Sequence, residues 1–408
     1  MMTTQRSKRR RSCSNSRNKG AKFEEIPFDL VTEILLRLPE KSVSRFRCVS
    51  TIRSPNFNES FFAISSSRPK LLFAYISDDS TFFFSSPQPQ TSSSLTARLH
   101  TSFPVECDLS DNLCGQWTFG PTQGTVQTVC NLSTGQILTL PEVKSAAYII
   151  KCSLGFDPTE QKIKVFCTAQ PNESLGPEDL MYQVLTLGTG KQMSWRKMTC
   201  DVPGFGSAFR KVGICINGVL YYLPVPFGTG STSTSMYHGS HQVPDIFFFD
   251  LRYEKLGYIK KAQDMKVVDS PYRLFGHESS ALANYKGKLA KLELWNEVIG
   301  TSIHMWVLQD AEKHQWSSYA YGMPPPWKSI TGHNLHFVGI TNNGEIVMSP
   351  DRPFFRDEIY YDSFYLIYYN PERNTVTRVD IKEMEGHWKS NAYVFLDYVE
   401  NVKLMPNI

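Results

Sequence analysis

The chain has no long apolar run. Its longest hydrophobic stretches, such as Ile246–Phe249, are of strand length, far below the ~18 residues that a membrane-crossing helix needs. Nor does it contain a Cys-x-x-Cys pair. Its nine cysteines (Cys13, Cys48, Cys107, Cys114, Cys130, Cys152, Cys167, Cys200 and Cys215) are odd in number and scattered. They read as reduced core thiols of a cytosolic or nuclear protein, which argues against a disulfide framework. Acidic residues are missing from the first 22 positions, which hold eight Lys and Arg, so a net charge of +4 leaves −4 for the remainder. The basicity belongs to a tail whose Ser and Asn content cannot build a core, so it is expected to be disordered. No apolar segment follows the basic start, and no secretory signal is expected there. Lys8-Arg9-Arg10-Arg11 fits a nuclear-import signal, with nonspecific attraction to nucleic acid as a second reading.

Convergent catalytic chemistry is equally scarce. His238-x-x-His241 and His333-x-x-His336 lack a third ligand at metal spacing and sit in Gly- and Ser-bearing segments. Gly188-x-Gly190 and Gly228-x-Gly230 are too short to cradle a phosphate, and neither leads into a helical pattern. No cofactor, metal or covalent chemistry is expected of this chain.

What is present begins with Glu25 to Pro39. Leu30, Ile34, Leu35 and Leu38 fall at i, i+4, i+5 and i+8 of a helical repeat, with Pro27 near its start and Pro39 stopping it. So short a helix does not stand alone in water, so it reads as a docking segment. Ile26-Pro27-x-x-Leu30 through Leu38-Pro39, followed by Ser42-Val43-x-x-Phe46-Arg47-Cys48-Val49-Ser50, resembles an F-box. The resemblance implies binding to the Skp adaptor of a Skp/cullin/F-box ubiquitin ligase. Ile26, Pro27, Leu30, Ile34, Leu35, Leu38, Pro39, Val43 and Phe46 would carry that contact.

After Ser50 the sequence departs from the plant F-box pattern, since a few residues, including the usual Trp of the third helix, are missing. Pro55 removes a backbone donor, so a third helix is expected to be short or absent. Phe57, Phe61 and Phe62 offer a substitute turn, with Asn56 as its cap.

From about Lys70 the pattern changes to short β-rich runs punctuated by Gly, Asn, Asp and Pro. Apolar runs recur, each ending at a turn residue: Asn131, Gly188, Asp250, Asp310 and Asn370, spaced 57, 62, 60 and 60 residues apart. Each later one is preceded by a second hairpin signal, such as Asn217-Gly218 or Lys286-Gly287. Two hairpins per repeat make one four-stranded propeller blade. The pattern predicts a mostly β chain with a kelch-like propeller of about six blades. The sixth would combine Leu71–Tyr75 and Phe82–Phe84 with Ala392–Leu396 and Val402–Met405, closing the ring with strands from both ends.

Cys130-Asn131-Leu132-Ser133-Thr134-Gly135-Gln136, Leu154-Gly155-Phe156-Asp157-Pro158, Ile216-Asn217-Gly218-Val219-Leu220-Tyr221-Tyr222, Tyr369-Asn370-Pro371-Glu372-Arg373 and Phe395-Leu396-Asp397-Tyr398 resemble the plant F-box-associated domain, type 3. The resulting layout is a tail at 1–22, an F-box at 23–66 and a propeller at 70–408. Trp195 and Trp316 occupy matching repeat positions and read as core. Tyr237, Tyr272 and Trp327, in irregular segments between strands, are the candidates for target contact.

The expected function is that of a non-catalytic receptor. The adaptor, and through it a cullin, would dock on the F-box, and a target protein on the propeller, in the nucleus, the cytoplasm or both. The alternative is a propeller whose degenerate F-box no longer recruits the adaptor. Neither a membrane nor, apart from the tail, a nucleic acid is an expected partner.

Overall fold

The computed structural model describes residues 27–38, 40–46, 54–77, 80–89, 93–103, 117–119, 126–143, 149–170, 181–188, 192–200, 202, 213–223, 246–263, 265, 280–297, 300–325, 327–331, 335–350, 364–383 and 392–402. Three helices come first: α1 (Phe28–Arg37), α2 (Glu40–Arg45) and α3 (Pro55–Ser66). The Val31 amide bonds to the Pro27 carbonyl to open α1. Leu38, which precedes Pro39, turns to extended backbone and ends it.

Helix α3 overturns the expectation of a short or missing third helix. It runs for 12 residues, with Pro55 in its first turn. Proline there loses nothing, because the first amides of a helix have no partner within it. The cap is Ser54 rather than Asn56: the Ser54 hydroxyl accepts from the Phe57 amide at 3.2 Å. Phe57 and Phe61 turn inward, one helical turn apart, with ring centroids 6.2 Å apart. They supply the apolar volume that a Trp would otherwise bring.

The remaining strands form six sheets, numbered here as blades I to VI. Blade I takes its innermost strand, Ala392–Tyr398, from the C-terminal part of the chain, and then Lys70–Ser77, Ser80–Pro87 and Arg98–Phe103. Blade II has three described strands, Trp117–Phe119, Thr128–Asn131 and Ile137–Thr139. Blade III is Ile149–Asp157, Lys162–Gln170, Met181–Thr186 and Arg196–Met198, and blade IV is Ile214–Ile216, Val219–Tyr222, Ile246–Asp250 and Lys255–Ile259. Blade V is Ser280–Tyr285, Lys288–Glu297, Gly300–Asp310 and Gln315–Gly322. Blade VI is Leu335–Ile340, Ile346–Pro350, Phe364–Asn370 and Thr375–Lys382, extended by the parallel strand Ser94–Thr96. Five of the six sheets thus hold at least four strands. The architecture is a β-propeller, and both ends of the chain close it as anticipated, with Phe73 opposite Val394. Val402 lies beyond the closing strand and joins no sheet, whereas 403–405 lie outside the described residues.

The repeat anchors are turn residues with a common job. The side-chain oxygens of Asn131, Asp250, Asp310 and Asn370 accept backbone amides two or three residues on, closing the turn between the last two described strands of their blades. Asn217-Gly218 and Lys286-Gly287 have positive φ at both positions, the geometry of tight hairpins. At Gly218 the requirement is also steric, since a Cβ would meet Pro158 Cδ of the adjoining blade at 2.6 Å. All these turns lie at one end of the propeller, because antiparallel pairing puts the first-to-second and third-to-fourth connections on the same side.

Neighbouring blades are fastened by repeated devices. Trp195 Nε1, just before the fourth strand of blade III, donates to the Pro141 carbonyl at 2.8 Å, and Trp316 Nε1, on the fourth strand of blade V, to the Lys260 carbonyl at 2.9 Å, each reaching the blade before. Apolar side chains fill the gaps between sheets, as between blades V and VI, where Leu292, Ile303, Met305, Ile346 and Ile367 are buried together. Among the described residues no helix is long and apolar enough to cross a membrane.

Candidate functional site

Of the nine residues expected on the adaptor contact, the seven that are described separate into two sets. Leu30 and Ile34 lie one turn apart on α1 and are 50% and 52% exposed, and Phe46 after α2 is 43% exposed. Pro27 is exposed as well. Phe62 and Ile64 of α3 are the module's other large apolar side chains left this open, at 44% and 41%. Leu35 and Val43, by contrast, are 6% and 0% exposed and pack with Phe57, Phe61 and Val402. Leu38 is half-buried against the same cluster. Leu35 and Val43 therefore hold the module together and do not face a partner. Helical geometry explains the division: at 3.6 residues per turn, position i+5 lies about 140° around from i. A stripe that looked like one face wraps onto two. Ile26 and Pro39 lie outside the described residues.

Strand direction fixes where this module sits. Lys70, which follows α3 by a short connection, pairs with Tyr398 at the tight-turn end of blade I. The Lys70 ammonium is ion-paired with Glu400 there. The helices thus join the end of the propeller that carries the tight turns. The opposite end carries the second-to-third strand connections and the crossings between blades.

Trp327 does not serve as an exposed contact. It begins the short helix Trp327–Thr331 between blades V and VI and is 8% exposed within their shared core. Its large apolar ring is stabilised more by that core than by water. Tyr237 and Tyr272 lie outside the described residues, as do His238, His241 and His333.

One cluster at the opposite end escaped the sequence reading. Lys291, Glu293 and Trp295 alternate along the second strand of blade V, directly across from Trp306, His304 and Ser302 of the third. Glu293 is 0% exposed, 2.8 Å from Lys291 Nζ, and accepts from Trp295 Nε1 at 3.0 Å. The His304 ring stacks on Trp295 with centroids 3.5 Å apart, and Trp306 lies beyond it at 5.7 Å. The signal in the sequence was polar residues at alternate strand positions where neighbouring blades are apolar. Trp295 and His304 are half-buried, and the Ser302 hydroxyl lies 3.1 Å from His304 Nε2, so the group offers stacking and hydrogen bonding.

At the tight-turn end a cleft between blades V and VI is lined by Tyr285, Lys286, Tyr321, Asn343, Asn370 and Glu372. Burial, with the neighbouring tyrosines adding to it, pushes the Tyr321 hydroxyl up to about 12. Its volume of about 170 Å³ is below the ~300 Å³ at which sites for cofactor-sized ligands begin. Among the described residues no three His, Cys, Asp or Glu side chains are grouped to hold a metal ion.

Residues 70–399 match the model of the F-box associated beta propeller domain. The chain belongs to this family of F-box proteins. Similarity to relatives extends through the helical module: the chain is 44% identical to the F-box protein At3g61340 of Arabidopsis thaliana, covering 99% of both chains. It is 38% identical to the F-box protein DOR of the same plant, covering 94% of this chain and 95% of that one. Among solved structures, an oligogalacturonate lyase from Vibrio parahaemolyticus aligns with a TM-score of 0.41 at 10% identity, over 77% of this chain and 75% of that one.

Proposed function

We propose that this F-box protein is the receptor subunit of a Skp/cullin/F-box ubiquitin ligase. The observation that carries the reading is the outward pair Leu30 and Ile34 on α1, an uncovered apolar turn on a module whose own core is complete without them. The relatives, F-box proteins matched over almost their whole length, support it. The Skp adaptor would dock on Leu30, Ile34, Phe46 and Pro27, and a cullin would follow through the adaptor. The propeller end remote from the helices would take the target protein, with Trp295 and His304 available there. No bond is made by this chain. Catalysis comes from proximity, since holding a target beside a charged conjugating enzyme raises its effective concentration.

The test is a binding assay between the purified protein and a Skp adaptor, with Leu30→Asp/Ile34→Asp as the variant. Both side chains are exposed, so the variant keeps its fold by circular dichroism while losing adaptor binding at least tenfold, about 1.4 kcal/mol or more. Wild-type protein that fails to bind would instead indicate a propeller with a degenerate F-box.

A further inference from the structure

The cluster at the centre of the helical module contains one residue that sequence order would not put there. Leu35, Val43, Phe57 and Phe61 come from α1 to α3, but the fifth member, Val402, lies beyond the strand that closes the propeller and is 3% exposed. The segment leading to it is tied down at Tyr398, Glu400 and Asn401. Tyr398, 2% exposed, is hydrogen-bonded through its hydroxyl to His100 Nε2 at 3.1 Å and to Ser133 Oγ at 3.0 Å. The Asn401 amide donates to the same Ser133 Oγ at 3.1 Å, and Glu400 is ion-paired with Lys70. His100 belongs to blade I and Ser133 to the outer turn of blade II, so five residues gather contacts from two blades and the helices.

We propose that Tyr398–Val402 is a latch, which completes the core of the adaptor-docking module only when the propeller ring is closed. A closed ring places Val402 under Phe57 and Phe61. An open ring withdraws it and leaves a void in a core of very few buried side chains, where each contact is a large share of the total. The docking helices are thereby positioned rigidly on the tight-turn end, and the module is folded only on chains whose propeller is folded. The consequence for adaptor recruitment rests on the receptor reading given above; the latch itself does not.

Hydrogen–deuterium exchange on the full chain tests it, with Val402→Asp and the milder Val402→Ala. Peptides covering 28–46 and 55–66 report on the module, and the blade V hairpin 288–310 is the internal reference. The latch predicts exchange at least about tenfold faster through the helices in Val402→Asp, a smaller increase in Val402→Ala, and an unchanged blade V. Unchanged helices in Val402→Asp overturn it. So does an equal loss of protection in blade V with both variants, which would make Val402 an ordinary core residue. Adaptor affinity measured on the same samples separates the two proposals. Helices that lose protection in a protein whose wild type never bound the adaptor uphold the latch and remove the receptor reading.

Discussion

The Lys164 ammonium stands 2.9 Å from the Asp157 carboxylate, with side chains 2% and 0% exposed, and reaches across to the Leu251 carbonyl of the next blade at 2.7 Å. Glu254 joins the pair at 3.3 Å and is itself held by Arg196 through two hydrogen bonds. Burial alone would lower the lysine and raise the aspartate. The hydrogen bond between them, with the Thr159 and Glu160 amides on Asp157, outweighs it and holds Asp157 below and Lys164 above their ordinary ranges. The pair fastens blade III to blade IV.

Removing the cation leaves the buried Asp157 charge with the Thr159 and Glu160 amides but without its ion pair. Lys164→Met is expected to cost about 3–5 kcal/mol in chemical denaturation at pH 7. The pH dependence changes sign with it. In the native protein, the depressed aspartate contributes stability above its unfolded value of ~3.9 that is lost as pH falls through the lower folded value. The raised lysine contributes below ~10.4 and loses this as pH climbs through its folded value. Lys164→Met, with an unpaired Asp157, should instead gain stability as pH drops from 7 toward 4. A variant whose stability stays level or falls over that interval would refute this account.

Asp397 presents the opposite case. Burial raises its carboxyl above the ordinary range, against the bond from Gln88, and its φ of +54° is one that asparagine tolerates. An acid with a raised folded value destabilises the fold once ionised, so the penalty is present above that value and vanishes as pH falls below the unfolded one. Asp397→Asn keeps the acceptor for Gln88 and should raise Tm at pH 7, with the gain disappearing in acid. Melting curves across pH decide it.

The cap of α3 is a small, clean target. Ser54→Ala removes the acceptor for the Phe57 amide and should cost about 1 kcal/mol, read as faster exchange in 55–66 with no change in the propeller. Ser54→Asp should retain most of the protection, because its carboxylate accepts the same amide.

The two tryptophan ties between blades should rank by burial. Trp195→Phe and Trp316→Phe each delete one indole donor, worth about 1 kcal/mol. The bond to Pro141 is partly buried while that to Lys260 is exposed. Denaturation midpoints should therefore fall further for Trp195→Phe. Equal losses would mean that ring packing, rather than the hydrogen bond, fastens both blades.

Features set by neighbours in the chain were legible in the sequence. The extent of α1 follows from Pro27, Pro39 and the apolar spacing between them. The blade period follows from Asn131, Asp250, Asp310 and Asn370, because a side chain that closes a turn two or three residues on acts within its own segment. Closure of the ring was legible too, since Leu71–Tyr75 and Ala392–Leu396 are each strands in need of a partner. Folding in three dimensions decided what depends on distant residues. It turned Leu35 and Val43 inward and left Leu30 and Ile34 outside, buried Trp327 between two blades, and brought Val402 under Phe57. Local pattern determines whether a helix or strand can form. Which of its faces is covered depends on what arrives from elsewhere in the chain, and that is a property of the packed whole.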